Sequence, residues 1–166
     1  MNEEMNMRGH LTLLITDREG RIIDERRQHN HIVKTGRELV AKLFAGSKGG
    51  APPSAVTHMG VGTDATPPND DQTALIKPRN VKDTVQRKQI DEITYTDFTE
   101  TTTGVKRVRA SLKAIFDFEE ANGTEALREA GIFTAVSGGV MYNRVVFDAV
   151  TKTNAFKLTL LWDITF

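Results

Sequence analysis

Residues 128–166 read REAGIFTAV, SGG, VMYNRVVFDAV, TKTN and AFKLTLLWDITF, and this stretch decides the fold. In its last segment an apolar residue stands at every second position, namely Phe156, Leu158, Leu160, Trp162, Ile164 and Phe166. Successive side chains of a β-strand point to opposite faces, so this alternation predicts a strand with one face on a hydrophobic core. SGG and TKTN have the composition of turns. We therefore expect three strands in an antiparallel meander.

The N-terminal part of the chain predicts a β-hairpin. Leu11, Leu13 and Ile15 alternate in a first strand, and the turn-forming residues DREG follow it at 17–20. The second arm runs through the charged residues DERRQHNH at 24–31. This arm is too polar for the centre of a sheet, because central strands are covered on both sides.

One helix is predicted after the hairpin, over residues 36–45. Thr35 and Glu38 have the spacing of a capping box, in which each side chain binds the backbone N–H of the other residue. An apolar stripe at helical spacing follows, and Gly46 is a natural stop. The stripe predicts that the helix packs on the sheet through Leu39, Val40, Leu43 and Phe44.

The middle of the chain predicts two further strands, at residues 56–62 and 107–118, and two single helical turns, at 72–76 and 125–129. Residues 81–103 are polar and rich in β-branched side chains, which predicts a long edge strand or an arm. The whole pattern predicts a mainly β protein, an antiparallel β-sandwich or flattened barrel with one short helix. We divide it into an N-terminal hairpin or arm, 1–34, and a β-sandwich domain, 35–166.

Composition excludes several classes of protein. Lys+Arg and Asp+Glu are 22 each, so the net charge is +0, whereas a general nucleic-acid binder needs an excess of basic residues. There is no cysteine, and no apolar run approaches the roughly 18 residues of a membrane span. The N-terminus is polar and does not resemble a signal peptide. We expect neither a nucleic-acid nor a membrane partner, and folding in a cytoplasm.

No motif in the chain supports catalysis. His29-Asn30-His31 spells HNH, but the nuclease motif of that name spreads these residues over a longer unit with metal ligands. Gly60 and Gly62 lack the lysine and the helix of a phosphate-binding loop. The paired acids at 70–71 and 119–120 lie in predicted loops, where solvated carboxylates are the rule. We therefore predict no catalytic, cofactor-binding or metal-binding residue, and interpret Arg144 as a structural partner of Glu129 or Asp163.

Several blocks of sequence, in a fixed order, resemble a known family. They are Ile32-Val33, TGRELVAKL at 35–43, VTHMGVGT at 56–63, TAL at 73–75, REAGIF at 128–133, then Met141, Arg144, Val146-Phe147 and residues 158–166. Together they resemble the small tail-associated structural proteins of tailed bacteriophages and prophages. The resemblance covers residues 32–166, whereas the N-terminal hairpin and the long polar segment at 81–103 depart from the family pattern.

The resemblance implies a virion component, assembled in the host cytoplasm, without enzyme activity or cofactor. Its partners would be copies of itself and other virion proteins of the tail or neck, in a collar, baseplate or tail-fibre base. Polar, β-prone segments also favour assembly, because they can extend a neighbour's sheet. The residues to which we assign structural or assembly roles are Glu129, Arg144, Trp162, Gln86, Ile93, Tyr95, Arg26 and Arg27.

Three alternatives remain open at the level of sequence. The first is a capsid-decoration protein or a neck protein at the head-to-tail junction. The second is a carbohydrate- or ligand-binding β-sandwich, although such modules usually expose clustered aromatic residues and most of the aromatic residues here are predicted to face the core. The third is an enzyme, for which the sequence offers no catalytic constellation.

Overall fold

Two antiparallel β-sheets pack face to face in the computed structural model, which describes residues 7–166. The five-stranded sheet has the order β2-β1-β11-β8-β7, and the six-stranded sheet has the order β3-β10-β9-β4-β5, with β6 also beside β4. One helix joins β3 to β4. The elements are β1 (Arg8–Asp17), β2 (Ile22–His29), β3 (His31–Ile32), α1 (Lys34–Ala45), β4 (His58–Gly62), β5 (Pro78–Arg79), β6 (Lys88–Gln89), β7 (Glu92–Thr99), β8 (Lys106–Phe116), β9 (Leu127–Phe133), β10 (Met141–Val150) and β11 (Phe156–Thr165).

The predicted alternation determines which faces are buried. On β11, Trp162 lies between Leu11 of β1 and Leu112 of β8 in the register of the sheet, and all three side chains are buried. Leu160, the next inward residue of β11, likewise lies between Leu13 of β1 and Ala114 of β8. A row of apolar residues across three strands provides the cross-strand contacts that stabilise a sheet. The prediction of a mainly β sandwich with one short helix is confirmed.

The N-terminal hairpin is present, and its two strands occupy different places. β2 lies at one edge of the five-stranded sheet, as its charge predicts, whereas β1 lies inside the sheet between β2 and β11. Leu11 and Leu13 of β1 are fully buried in the same core as β11. The first strand of the hairpin therefore contributes directly to the sandwich core.

The predicted meander of three C-terminal strands is wrong. β9 and β10 are paired in the six-stranded sheet, but β11 belongs to the other sheet. Alternation fixes the buried face of a strand and carries no information about which strand it pairs with. The TKTN segment therefore crosses from one sheet to the other.

Three local predictions are also corrected. The Thr35 hydroxyl donates to the carbonyl of Met141 at 2.8 Å instead of capping α1, which begins at Lys34 without a side-chain cap. The helical turn at 125–129 is replaced by the start of β9, and residues 72–76 form turns rather than a helix. In each case a contact with a distant part of the chain replaces the local one. Within 81–103, the only long strand is β7.

The Lys152 side chain fixes the segment that passes from one sheet to the other. Its side chain is fully buried, and its Nζ donates to the carbonyls of Asp117 and Thr153 and to Oδ1 of Asn122, at 2.9 to 3.0 Å. Removal from water disfavours the charged form of a lysine. Burial accordingly lowers the pKa of Lys152 to about 8.

This lowered pKa predicts a pH-dependent stability. An unfolded lysine has a pKa of about 10.4, so between the two values the unfolded chain binds more protons, and raising the pH stabilises the fold. We expect the stability of the wild type, relative to Lys152→Met, to increase between about pH 7.5 and about pH 9.5. Urea unfolding at several pH values measures this difference in the free energy of unfolding. Tyr142 does not affect the interval: burial raises the pKa of Tyr142 to about 12, so this residue lowers the stability of the fold only above about pH 10.

Lys106→Met is the matched control, because Lys106 is exposed. Its free energy of unfolding relative to the wild type should not vary with pH over the same interval. If the difference between the wild type and Lys152→Met is also constant, Lys152 keeps its proton in the native state and the prediction fails.

Candidate functional site

A buried ion pair joins β9 to β10, and of the two partners that the sequence left open for Arg144 it contains Glu129 and not Asp163. Arg144 Nε donates to Oε2 of Glu129 at 2.8 Å, and both side chains are fully buried. The same carboxylate accepts the backbone N–H groups of Ile76 and Lys77, at 3.1 and 2.8 Å. Arg144 Nη1 also donates to the carbonyl of Thr66 at 2.6 Å. The pair thus holds the loop between β4 and β5 onto the six-stranded sheet.

Gly62 makes room for this arrangement. A Cβ atom at this position would lie 2.4 Å from Oε1 of Glu129 and 2.4 Å from the carbonyl oxygen of Lys77. No side chain fits there, so the glycine allows a close approach of the Glu129 carboxylate and the Lys77 carbonyl to the strand. Because the ion pair is sealed from solvent, its role is to fix the position of the loop.

Breaking the pair should be costly. We expect Glu129→Gln to lower the free energy of unfolding by about 3–5 kcal/mol, because the substitution removes the hydrogen-bonded partner of the buried Arg144 and leaves it only Asp64, 3.5 Å from its Nη2. Urea unfolding measures this value. The control is Glu125→Gln, since Glu125 pairs with Lys77 at 3.1 Å on the surface, and exposed pairs contribute at most about 1 kcal/mol. Equal losses in both variants would contradict a structural role for the buried pair.

β7 is an exposed edge strand. It pairs with β8 along its whole length without a register shift, and seven of its eight residues are exposed. Among residues 7–166, no strand pairs with its other side. Free strand edges present unpaired N–H and C=O groups and are templates for pairing with another chain.

The hydrogen-bond pattern identifies which backbone groups of β7 are free. Val108 of β8 exchanges two backbone hydrogen bonds with Phe166, so its polar groups point towards β11. In an antiparallel pair, bonded and non-bonded positions alternate. Asp97 lies opposite Val108, and the N–H and C=O groups of Asp97, Tyr95 and Ile93 therefore point away from β8.

An apolar groove of about 240 Å³ lies beside this edge. Its walls are the inner faces of β7 and β8, together with the apolar side of α1. Ile93 and Tyr95 are 45% and 74% exposed although they are on the inner face, so the sandwich is open here. The groove is lined by Leu39, Val40, Leu43, Ala55, Val56, Ile93, Tyr95, Ala110, Leu112, Ile132, Tyr142, Ile164 and Phe166.

Phe44 protrudes next to the groove, in the last turn of α1. Its side chain is 93% exposed, which corrects the prediction that the helical stripe is packed through this residue. Leu39 in the same stripe is buried, and Leu43 is half exposed. The helix ends at Gly46, whose φ of 76° suits glycine. Exposed apolar side chains around a groove typically mark an interaction site.

β2, at the opposite edge of the five-stranded sheet, is protected. Arg26 donates to the carbonyls of Asp148 and Ala149 in β10, at 2.7 and 3.1 Å. β2 also has charged residues at its centre and a register shift against β1. Charges and bulges are common protections of an edge strand, whereas β7 has no lysine, arginine, proline or register shift.

The residues selected from the sequence occupy three different environments. Glu129, Arg144 and Trp162 are completely buried, so their contribution is to the fold. Ile93 and Tyr95 are brought together at the groove. The remaining residues are distributed elsewhere: Gln86 is exposed between β5 and β6, and Arg26 and Arg27 lie on β2. Phe44 was missed, because its place in an apolar stripe predicted burial.

The polar motifs form ordinary surface contacts. His31 and Arg37 contact Asp70 at 2.8 and 3.1 Å. Hydrogen bonds from Arg37 and then His31 lower the pKa of Asp70. No group of three or more histidine, cysteine or carboxylate side chains within residues 7–166 is arranged to hold a metal ion. Over the same residues, no helix has the length and hydrophobicity to cross a membrane.

Comparison of the chain with protein-family models, with curated proteins and with solved structures found no match.

Proposed function

We propose that this protein is a non-enzymatic structural subunit of a bacteriophage virion, associated with the tail, that assembles with copies of itself through β7 and the adjacent groove. The observation that carries the proposal is a long, unprotected strand edge beside an exposed apolar groove. The ordered blocks of sequence that resemble tail-associated proteins provide the biological context. Other virion proteins of the tail or neck are the remaining partners.

Charge supports contact between two copies at this surface. Within the described residues, Lys42 and Lys48, on either side of Phe44, form no ion pair, and neither does Asp97 on β7. The protruding end of α1 is thus basic, and the strand edge is acidic. Phe44 and the groove are neighbours. A twofold axis can therefore place the Phe44 side chain of each copy in the groove of the other copy. Such an arrangement is self-complementary.

A ligand-binding β-sandwich is less well supported. The groove has a volume of about 240 Å³, below the roughly 300–1,000 Å³ typical of small-molecule pockets. The groove is also almost entirely apolar, whereas carbohydrate recognition needs several polar groups. A capsid-decoration or neck protein remains the second candidate, because it would use the same surface.

Self-association is the first prediction of this proposal. We expect oligomers in sedimentation velocity and light scattering between about 1 µM and 1 mM, and closed particles in negative-stain images. Phe44→Glu and Tyr95→Glu should each weaken association at least about tenfold, because a charge replaces an apolar contact. The matched control is Val136→Glu, at a partly exposed valine away from the groove. A wild type that remains monomeric at the highest concentration would overturn self-assembly.

A proline substitution distinguishes strand pairing from side-chain packing. The N–H of Asp97 points to the free edge, so Asp97→Pro removes a donor that β8 does not use. We expect the variant to stay folded by circular dichroism and to lose association. The matched change without the backbone effect is Asp97→Asn, which removes the same charge but keeps the N–H, and it should associate more strongly than Asp97→Pro. Association that is unchanged in Asp97→Pro would show that β7 does not pair with another chain.

A further inference from the structure

An open cleft in the described part of the chain is lined by basic side chains. It has a volume of about 680 Å³ and lies where β1 begins and β2 ends, beside β7, β8 and β11. No carboxylate is among its twelve lining residues, all of which are within residues 7–166. This is unusual in a chain with a net charge of +0. The basic lining residues are Arg8, His10, His29, His31, Arg37 and Arg109.

Three carboxylates near the cleft already have partners. Glu100 contacts Arg8, and Asp163 lies 3.7 Å from His10. Asp70 binds His31 and Arg37, as described above. The Thr103 hydroxyl and then Arg8 lower the pKa of Glu100 to about 2, so this carboxylate is ionised at any pH relevant to the cell. Among the described residues, Arg109 and His29 form no ion pair.

Stacking on Phe98 holds the Arg109 side chain in place. Its guanidinium carbon lies 4.7 Å from the centroid of the Phe98 ring, and stacking of this kind fixes the plane of the group. Its Nε is buried and has no hydrogen-bond partner in residues 7–166.

Asn30 is a second unsatisfied group of the cleft. Both polar atoms of its side-chain amide are buried, and neither has a partner among the described residues. The amide lies against Gly9, where an added Cβ would be 2.5 Å from Oδ1 of Asn30. Buried polar groups are normally hydrogen-bonded, so the Asn30 amide and the Arg109 Nε are two exceptions at this cleft among residues 7–166.

We propose that this cleft binds an oxyanion of charge −2 or higher, with a phosphoryl or carboxylate group against Arg109. The planar guanidinium donates two parallel hydrogen bonds to such a group. The other basic side chains of the lining add positive charge around the cleft. This site is independent of the proposed assembly at β7, since it needs no second copy of the chain.

The test is titration calorimetry of the full chain with inorganic pyrophosphate and, separately, with citrate, in low-salt buffer. We expect Arg109→Gln to weaken binding of at least one probe by about tenfold or more. Arg128→Gln is the matched control, because Arg128 is an exposed arginine of β9 outside the cleft. Arg109→Lys keeps the charge and loses the planar fork, so it should also weaken binding and provides a second variant if Arg109→Gln is unstable.

Binding that Arg109→Gln or Arg109→Lys impairs and Arg128→Gln preserves supports the site, and the more sensitive probe identifies a phosphoryl or a carboxylate ligand. Absence of binding, or equal weakening in all arginine variants, overturns it.

Discussion

The carboxylate of Glu129 constrains much of the six-stranded half of the molecule. A buried charge is tolerated only when it is paired and hydrogen-bonded, and here the partners are Arg144 and the backbone of residues 76 and 77. The loop between β4 and β5 must therefore stay on the sheet. Asp70 in that loop accepts the backbone N–H of Lys34 at 3.0 Å, at the start of α1. One ion pair thus determines where the helix lies, and the helix forms a wall of the groove.

The sequence predicted what depends on local pattern. Alternation correctly identified the inward residues of β11, such as Trp162, and the polar composition of β2 placed that strand at an edge. The pairing of β11 with β1 and β8 was not predictable, because a strand with one apolar face satisfies its pattern in either sheet. The helix start was mispredicted for a related reason, since the Thr35 hydroxyl binds Met141 of β10 and not a neighbour in sequence.

The candidate site was only partly predictable. An edge strand in residues 81–103 followed from composition, but the groove depends on how far the two sheets overlap. Phe44 has the spacing of a buried residue and is exposed because α1 extends beyond the surface that Leu39 covers. The basic cleft could not be found by motif, since its arginines come from β1, α1 and β8. Only the fold brings those charges together.

β7 takes part in both candidate surfaces because of its alternation. Ile93 and Tyr95 face the apolar groove, whereas Phe98, on the opposite face, lines the cleft and stacks on Arg109. A strand held on one side only has weaker constraints on its position than an interior strand. Pairing of its free edge would restrict the motion of Phe98, and with it that of the Arg109 guanidinium. The proposed assembly surface and the proposed oxyanion cleft therefore share the eight residues of β7, although the cleft needs no second copy of the chain.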